Sequence, residues 1–390
     1  MGWFDNIVQK LNPAQKVIAE NAGGSADTTS IITHQTAFSK IEALNRSVNM
    51  LVRAAASLDY DVKDKVVDGV KGDMRQKTLV KLLNFRPNPY QSAQDLRLAM
   101  FTDFVLEGNC FLYFDGAFLY HLPAKNVDII PDSVTFVSGY KYDGRTTFKA
   151  DEILHFKDLS SSSIYRGDSR LHSCTDSINT LYKMQEFQKS FFENGAVPGL
   201  IFTTENTLGP AAKEKTIQQW VQRYSPKNGG KRPMIVDSGL KPYPLGQSNF
   251  KDLDFDVSIS RHNIKILNAV GVPEVLFSGG NNANISPNLR LFYLETVLPV
   301  VRSFVSAVER YFGYDVEPIT TSVSALQPEL KELSGYLTSL VNGGVITPNE
   351  ARVEIRYEKL EGHDEIRVPA NIAGSAINPN LGGAPEKPKP

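Results

Sequence analysis

Apolar positions recur at helical spacing from Thr36 to Ser57, where Ile41, Leu44, Val48, Leu51, Val52 and Ala55 share one face. A break near Asp68–Asp73 follows, and Pro87-Asn-Pro89 closes the next helical stretch. Ser92 then caps a helix bearing Leu96, Met100, Phe104 and Val105, with Asp95 placed to complete a capping box and Gly108-Asn109 as its stop. The period then changes from 3.6 to 2. Short strand-like runs occur at Cys110–Phe114, Phe118–Leu122, Val127–Ile130, Val134–Val137, Phe148 and Ile153–Phe156. Asp115-Gly116 and Asp143-Gly144 mark hairpin turns.

Beyond Gly167-Asp168 a long helix carries Leu171, Cys174, Ile178, Leu181, Met184 and Phe191 and stops at Asn194-Gly195. Some 25 residues at about 1.5 Å each span roughly 37 Å. A small α/β insert follows, with strands at Gly199–Thr203, Pro233–Val236 and Lys241–Tyr243 and a helix at Ala211–Tyr224. A second helix from Leu253 to Ala269 returns from it and ends at Gly271 and Pro273. Then comes Ser278-Gly-Gly-Asn-Asn-Ala-Asn284, a loop of small polar residues with no charge between Glu274 and Arg290. Ser286-Pro287 opens a long helix with Leu289, Phe292, Tyr293, Thr296, Val297, Val300, Val301, Phe304 and Val308 on one broad face. Pro299 lies inside it and predicts a kink near Thr296, because proline lacks a donor and its ring clashes with the preceding turn. Two more helices follow Asp315–Thr321; the second opens on Thr347-Pro-Asn-Glu350, which combines a cap, a first-turn proline and a capping-box acid. The Gly/Pro/Asn-rich tail from Gly374 has the composition of a disordered segment.

The 390 residues suffice for two or three domains, and 41% hydrophobic with 22% charged residues is the balance of a globular chain. A net charge of -1 advertises no global affinity for nucleic acid or anionic membranes, although a DNA partner responds to local field and not to the sum. Cys110 and Cys174 sit in apolar contexts and are expected to be buried and reduced. No secretory leader and no membrane span are expected. Trp3, Phe4, Ile7, Val8 and Leu11 give a short amphipathic segment at the N-terminus, read as a docking arm because it lacks the basic face of a membrane-surface helix.

Catalytic signatures are missing. Gly209-Pro-Ala-Ala-Lys-Glu-Lys215-Thr216 has the outline of a phosphate loop, but Glu214 stands where glycine is needed and would repel phosphate. The six histidines form no pair with ligand spacing, so no metal site or cofactor is expected. His155 reads as a packed strand residue, and nothing near Cys110 would lower its pKa. Two basic groups stand out. Lys227, Lys231 and Arg232 form either a solvated turn or a basic tip for a partner. Arg261 and Lys265 share a face at i,i+4 spacing, and either line a path for DNA or are simply exposed.

Several segments taken in order resemble the portal protein family of long-tailed double-stranded-DNA bacteriophages. They are Asn88-Pro-Tyr-Gln-Ser-Ala, Glu107-Gly-Asn109, Ile153-Leu-His-Phe, Asn194-Gly-Ala-Val-Pro-Gly-Leu-Ile201, Gly271-Val-Pro273 with Asn288 and Phe292-Tyr293, and Asn342-Gly-Gly-Val-Ile-Thr-Pro-Asn-Glu-Ala-Arg352. The resemblance implies an α+β portal-type protomer that joins a dodecameric ring at one capsid vertex and has no enzymatic activity. It implies an N-terminal arm at 1–30, a mixed wing at 31–165 and a stem helix at 166–195. A small α/β clip would occupy 196–250, a second stem helix 251–275 and a tunnel loop 276–287. A long kinked helix with more wing would cover 288–326, a small helical crown 327–372 and a disordered tail 373–390. In that arrangement Ser278, Gly279, Gly280, Asn281, Asn282 and Asn284 face DNA, Arg261 and Lys265 line the channel, and Lys227, Lys231 and Arg232 form the clip tip. Pro299 kinks the helix behind the loop. Implied partners are the terminase large subunit, the major capsid protein and scaffold, and a head-completion or adaptor protein. The implied location is the virion, after assembly in the host bacterial cytoplasm. The competing readings are a metal-dependent nucleic-acid-processing enzyme using Asp252, Asp254 and Asp256, and a membrane-associated adaptor using Trp3 and Phe4.

Overall fold

The computed structural model describes residues 32–193, 200–203, 209–224, 241–244, 255–327, 330–355 and 357–366. The predicted N-terminal arm, the Asn194-Gly195 stop, the strand at Pro233–Val236, the basic trio Lys227, Lys231 and Arg232, Asp252 and Asp254, and the tail lie outside these residues. The chain divides into two compact units, 1–320 and 321–390.

The first unit opens with helices α1 (His34–Lys40) and α2 (Glu42–Ala56). Sequence periodicity reads these as one helix. The β-branched Ile41 sits between them in extended backbone, and Asn45 Nδ2 donates across the break to Phe38 O at 3.0 Å. Strand β1 (Tyr60–Lys65) follows, then α3 (Gln76–Asn84) and α4 (Ala93–Glu107). Helix α4 has the expected capping box between Ser92 and Asp95 and ends on Gly108, whose φ of 68° is the left-handed conformation that glycine adopts freely.

Six short strands come next: β2 (Asn109–Phe114), β3 (Leu119–Leu122), β4 (Val127–Asp132), β5 (Phe136–Tyr142), β6 (Thr146–Lys149) and β7 (Ile153–Lys157). They form two antiparallel sheets, β3-β2-β7 and β4-β5-β6. Both predicted hairpin turns are present. At Asp143-Gly144 both residues have positive φ, 49° and 65°, the geometry that lets a tight hairpin follow strand twist. Phe111 joins the two sheets. It pairs with Leu122 and His155 within its own sheet and meets Tyr140 of the other edge to face at 5.7 Å.

A tight turn at Arg170–Cys174, capped by Ser169, leads into α5 (Thr175–Glu193). The expected continuous helix from Asp168 therefore begins with a 3₁₀ turn. The insert contributes β8 (Leu200–Thr203), α6 (Pro210–Tyr224) and β9 (Lys241–Pro244), with β8 and β9 antiparallel. Helix α7 (Phe255–Val270) packs back along α5, and Phe187 stacks on Phe255 at 5.9 Å. Then come α8 (Glu274–Ser278), α9 (Asn282–Phe292), a π turn at Tyr293–Val297, α10 (Leu298–Phe312) and β10 (Tyr314–Pro318). Strand β10 pairs with β1, a join spanning some 250 residues of sequence that no local pattern announced.

Helix α10 is the centre of the first unit's core. Its Phe304 is 3% exposed and meets Tyr60 of β1, Phe101 of α4 and Phe156 of β7 at ring distances of 5.3, 6.1 and 5.6 Å. From Asn284 to Phe312 the helical run is long and apolar enough for a bilayer span, and half of its most apolar stretch is buried inside the protein. Cys110 and Cys174 are buried and unpaired in a disulfide. Burial pushes both thiols up, Cys174 to about 12, so neither is a ready nucleophile.

The second unit holds α11 (Leu330–Asn342) and α12 (Pro348–Glu354). Thr347 and Glu350 form the predicted capping box, with proline in the first turn. The buried Asn349 donates to Leu360 O and Asp364 Oδ1 and accepts from Leu360 N–H, fastening the following loop onto α12.

Candidate nucleic-acid interface

The loop singled out from the sequence is shorter than expected. Ser278 is the last residue of α8, and Asn282 and Asn284 belong to α9, so Gly279-Gly280-Asn281 alone lies between the helices. The expected helix start at Ser286-Pro287 is likewise corrected to Asn282. Two local effects explain the early start. The Asn281 side chain accepts the Asn284 N–H at 3.1 Å, an N-cap that Ser286 would otherwise have to supply. Pro287 costs only one donor near the helix entrance, that of the Ala283 carbonyl, and Asn288 Nδ2 adds a side-chain bond to the Asn284 carbonyl at 2.8 Å.

Ser278, Gly279, Gly280, Asn281 and Asn284 are exposed, and none carries charge. Gly279 has φ 84° and ψ 163°, a conformation restricted in practice to glycine, and a Cβ there would meet nothing within 4 Å. Open space combined with a backbone that only glycine tolerates marks an unencumbered apex.

Below the apex the chain is fixed. Helix α7 ends on Gly271, where φ is 89° and the N–H groups of Gly271 and Val272 both return to Leu267 O at 2.9 Å. Thr296, inside the π turn, donates its hydroxyl to Gly271 O at 2.7 Å. A Cβ on Gly271 would fall 2.7 Å from that same Thr296 oxygen. Pro299 falls just after the π turn, where the sequence places the disturbance. Without the Pro299 N–H, the Glu295 carbonyl has no i+4 donor, and the widened turn absorbs the mismatch. The end of one helix and the irregular turn of another are thus bolted together beneath the apex. Arg46 lies over the Phe277 ring at 4.6 Å and holds α8 from the side.

Arg261 and Lys265 are exposed on one face of α7, as their spacing requires. Lys265 lies six residues before Gly271, about 9 Å along the axis. Between them His262 is held below the usual imidazole range, first by burial and then by the Lys265 charge, so it adds no positive charge to the stripe near neutral pH. His155 is a packed strand residue as expected: it stacks on Phe111 at 4.2 Å, and burial keeps it neutral. Among the described residues no group of three or more His, Cys, Asp or Glu could hold a metal ion. The Thr296–Gly271 bond could not be read from sequence, because a polar residue on an apolar helix face carries no label for a partner 25 residues away.

Residues 42–355 match the family model described as phage portal protein. The chain is 39% identical to the portal protein of Escherichia phage T5, over 99% of this chain and 98% of that one. It is 24% identical to the portal protein of Enterobacteria phage HK97, covering 88% of this chain and 86% of that one. Among solved structures, the neck of a native gene transfer agent particle, computed with C12 symmetry, matches with a TM-score of 0.60 at 22% identity, over 88% of this chain and 99% of that one.

Proposed function

The chain belongs to the phage portal protein family, a structural family of phage and gene-transfer-agent particles, and from that premise we propose that twelve copies form a ring whose central channel conducts double-stranded DNA into and out of the capsid. In this reading residues 31–165 are the wing and α5 and α7 the stem. The insert between them is the clip, at which the terminase large subunit docks and is later replaced by a head-completion protein. The wing meets the major capsid protein and scaffold. Twelvefold assembly is supported by the likeness to a neck computed with C12 symmetry, and a closed ring needs only one heterologous interface repeated around an axis.

The apex at Gly279–Asn281 carries the channel assignment. DNA in transit must not be held. Each phosphate neutralised by a lysine or arginine adds salt-dependent affinity and so acts as a brake. Uncharged glycine, serine and asparagine offer exchangeable hydrogen bonds and no ion pairs. Arg261 and Lys265 add a modest positive field further along the stem, enough to keep a polyanion centred and too sparse to grip it.

Replacing Asn281 and Asn284 by lysine tests this reading. Rings should assemble normally, while DNA packaging or retention in particles falls at low salt and partly recovers at high salt. Unchanged packaging would remove the apex from the channel.

A further inference from the structure

The turn after α3 is built to present aromatic rings. Asn88 is 1% exposed, and its amide is fully used: Nδ2 donates to Gln91 Oε1 and Leu119 O at 3.0 and 2.9 Å, and Oδ1 accepts the N–H groups of Tyr90 and Gln91 at 2.9 and 3.0 Å. The Leu119 N–H returns to Pro87 O at 2.9 Å, tying the turn to β3. The turn is rigid, yet Tyr90 at its tip is 87% exposed and Phe85 at its entrance 69% exposed. The bonds to β3 account for the fixed backbone; the two large rings it carries stand in water and do not enter the core of this unit.

The exposed side of α3 and the turn after it are basic in sequence. Lys77 and Lys81 share the exposed side of α3, with Phe85 just past its end, while Leu79, Leu82 and Leu83 face inward. Arg86 follows. Between Asp73 and Asp95 there is no carboxylate in the sequence. Lys77, Lys81 and Arg86 make no ion pair among the described residues.

We propose that this face is a docking surface for an acidic, partly apolar polypeptide segment. Carboxylates would pair with Lys77, Lys81 and Arg86, and apolar side chains would pack on Phe85 and Tyr90. Pre-organised aromatics beside arginine are the residues that dominate protein interfaces, because little ordering remains to be lost on binding. Duplex DNA would use the cations but has no groove-facing need for two rings fixed outside a helix. The surface lies on the wing side of the fold and is independent of the channel assignment.

The test uses the full chain and a fluorescein-labelled helical peptide of about five turns, with Glu and Asp on one face and Leu on the other. Anisotropy titration should give measurable binding that weakens about tenfold or more in Tyr90→Ser and in the triple variant Lys77→Glu, Lys81→Glu, Arg86→Glu. A variant-free measurement accompanies it: peptide should slow amide exchange across residues 77–91 and nowhere else in the wing. The proposal is overturned if the peptide fails to bind. It is equally overturned if binding is unchanged in both variants, or if protection lies elsewhere. A duplex of about two helical turns that outcompetes the peptide and loses affinity only in the triple variant would assign the face to nucleic acid instead. Loss of self-association in these variants, with peptide binding intact, would assign it to a second copy of the chain.

Discussion

The mixed body around α10 and the helix pair α5–α7 treat apolar side chains in opposite ways. In the body, Val300, Val301, Phe304, Val308, Tyr311 and Phe312 are all buried within one chain. Among the described side chains of α5, burial is confined to the first half. Ile178 and Leu181 are covered, whereas Phe187, two turns further on, stays half exposed even though it stacks on Phe255. The body completes its own core; the distal helix pair leaves Phe187 and Val257 about half exposed, surface that the proposed ring would have neighbouring copies cover. A protein read as one sector of a ring needs both: a self-sufficient block for its rim, and unfinished helices where sectors meet.

Substitutions can break or sharpen this contrast. Phe304→Ala should produce the largest loss, about 3–5 kcal/mol, because it empties the junction of β1, α4, β7 and α10. Thermal or urea unfolding of the subunit reads it directly, and a loss under 1 kcal/mol would mean that the body is not closed around this ring. Gly271→Ala comes next, at about 2 kcal/mol, since the new methyl meets Thr296 and φ is unfavourable for a side chain. Its effect should concentrate at the apex, seen as faster amide exchange from residues 267 to 297 with the two small sheets unaffected.

Glu107 gives a test in pH. Burial, with the neighbouring Asp103 charge adding to it, raises its carboxyl to about 7, against partial opposition from Arg166 and Lys125. A folded-state pKa above the unfolded value means that the native state binds the proton more tightly. Stability should therefore decline as pH rises from about 4.5 through 7. Glu107→Gln should remove that decline and stabilise the body by about 2 kcal/mol at pH 8, with little change at pH 4. Parallel pH–stability curves for both proteins would refute it. The smallest effect on folding belongs to Phe187→Ser, under about 0.5 kcal/mol, yet this variant should assemble measurably less well in mass photometry at matched concentrations. Normal assembly would show that the exposed ring of Phe187 is not where copies meet.

Local chemistry made much of the fold legible. Ser92 with Asp95, Thr347 with Glu350, Gly108, and the turns at Asp115-Gly116 and Asp143-Gly144 each act over three or four residues, and all appear where the sequence puts them. The disturbance beside Pro299 was legible for the same reason. Features joining distant segments were not. Strands β1 and β10 are short and rich in charge, and the buried Val62 and Val316 become informative only once paired. The break at Ile41 was hidden because its apolar spacing continues a helix that its backbone does not. At the apex, composition identified an uncharged segment correctly but overstated its length, since asparagine favours both loops and helix caps and Asn281 acts as a cap.

The central claim is that this apex faces the axis of a ring, and an attached label can locate it. Cys110 and Cys174 are buried, so a cysteine introduced by Asn281→Cys is the thiol a bulky maleimide reaches first. End-on images of the labelled assembly should show a closed twelvefold ring with new density projecting into the central opening. Density on the outer rim, or particles that never close into a ring, would contradict the account.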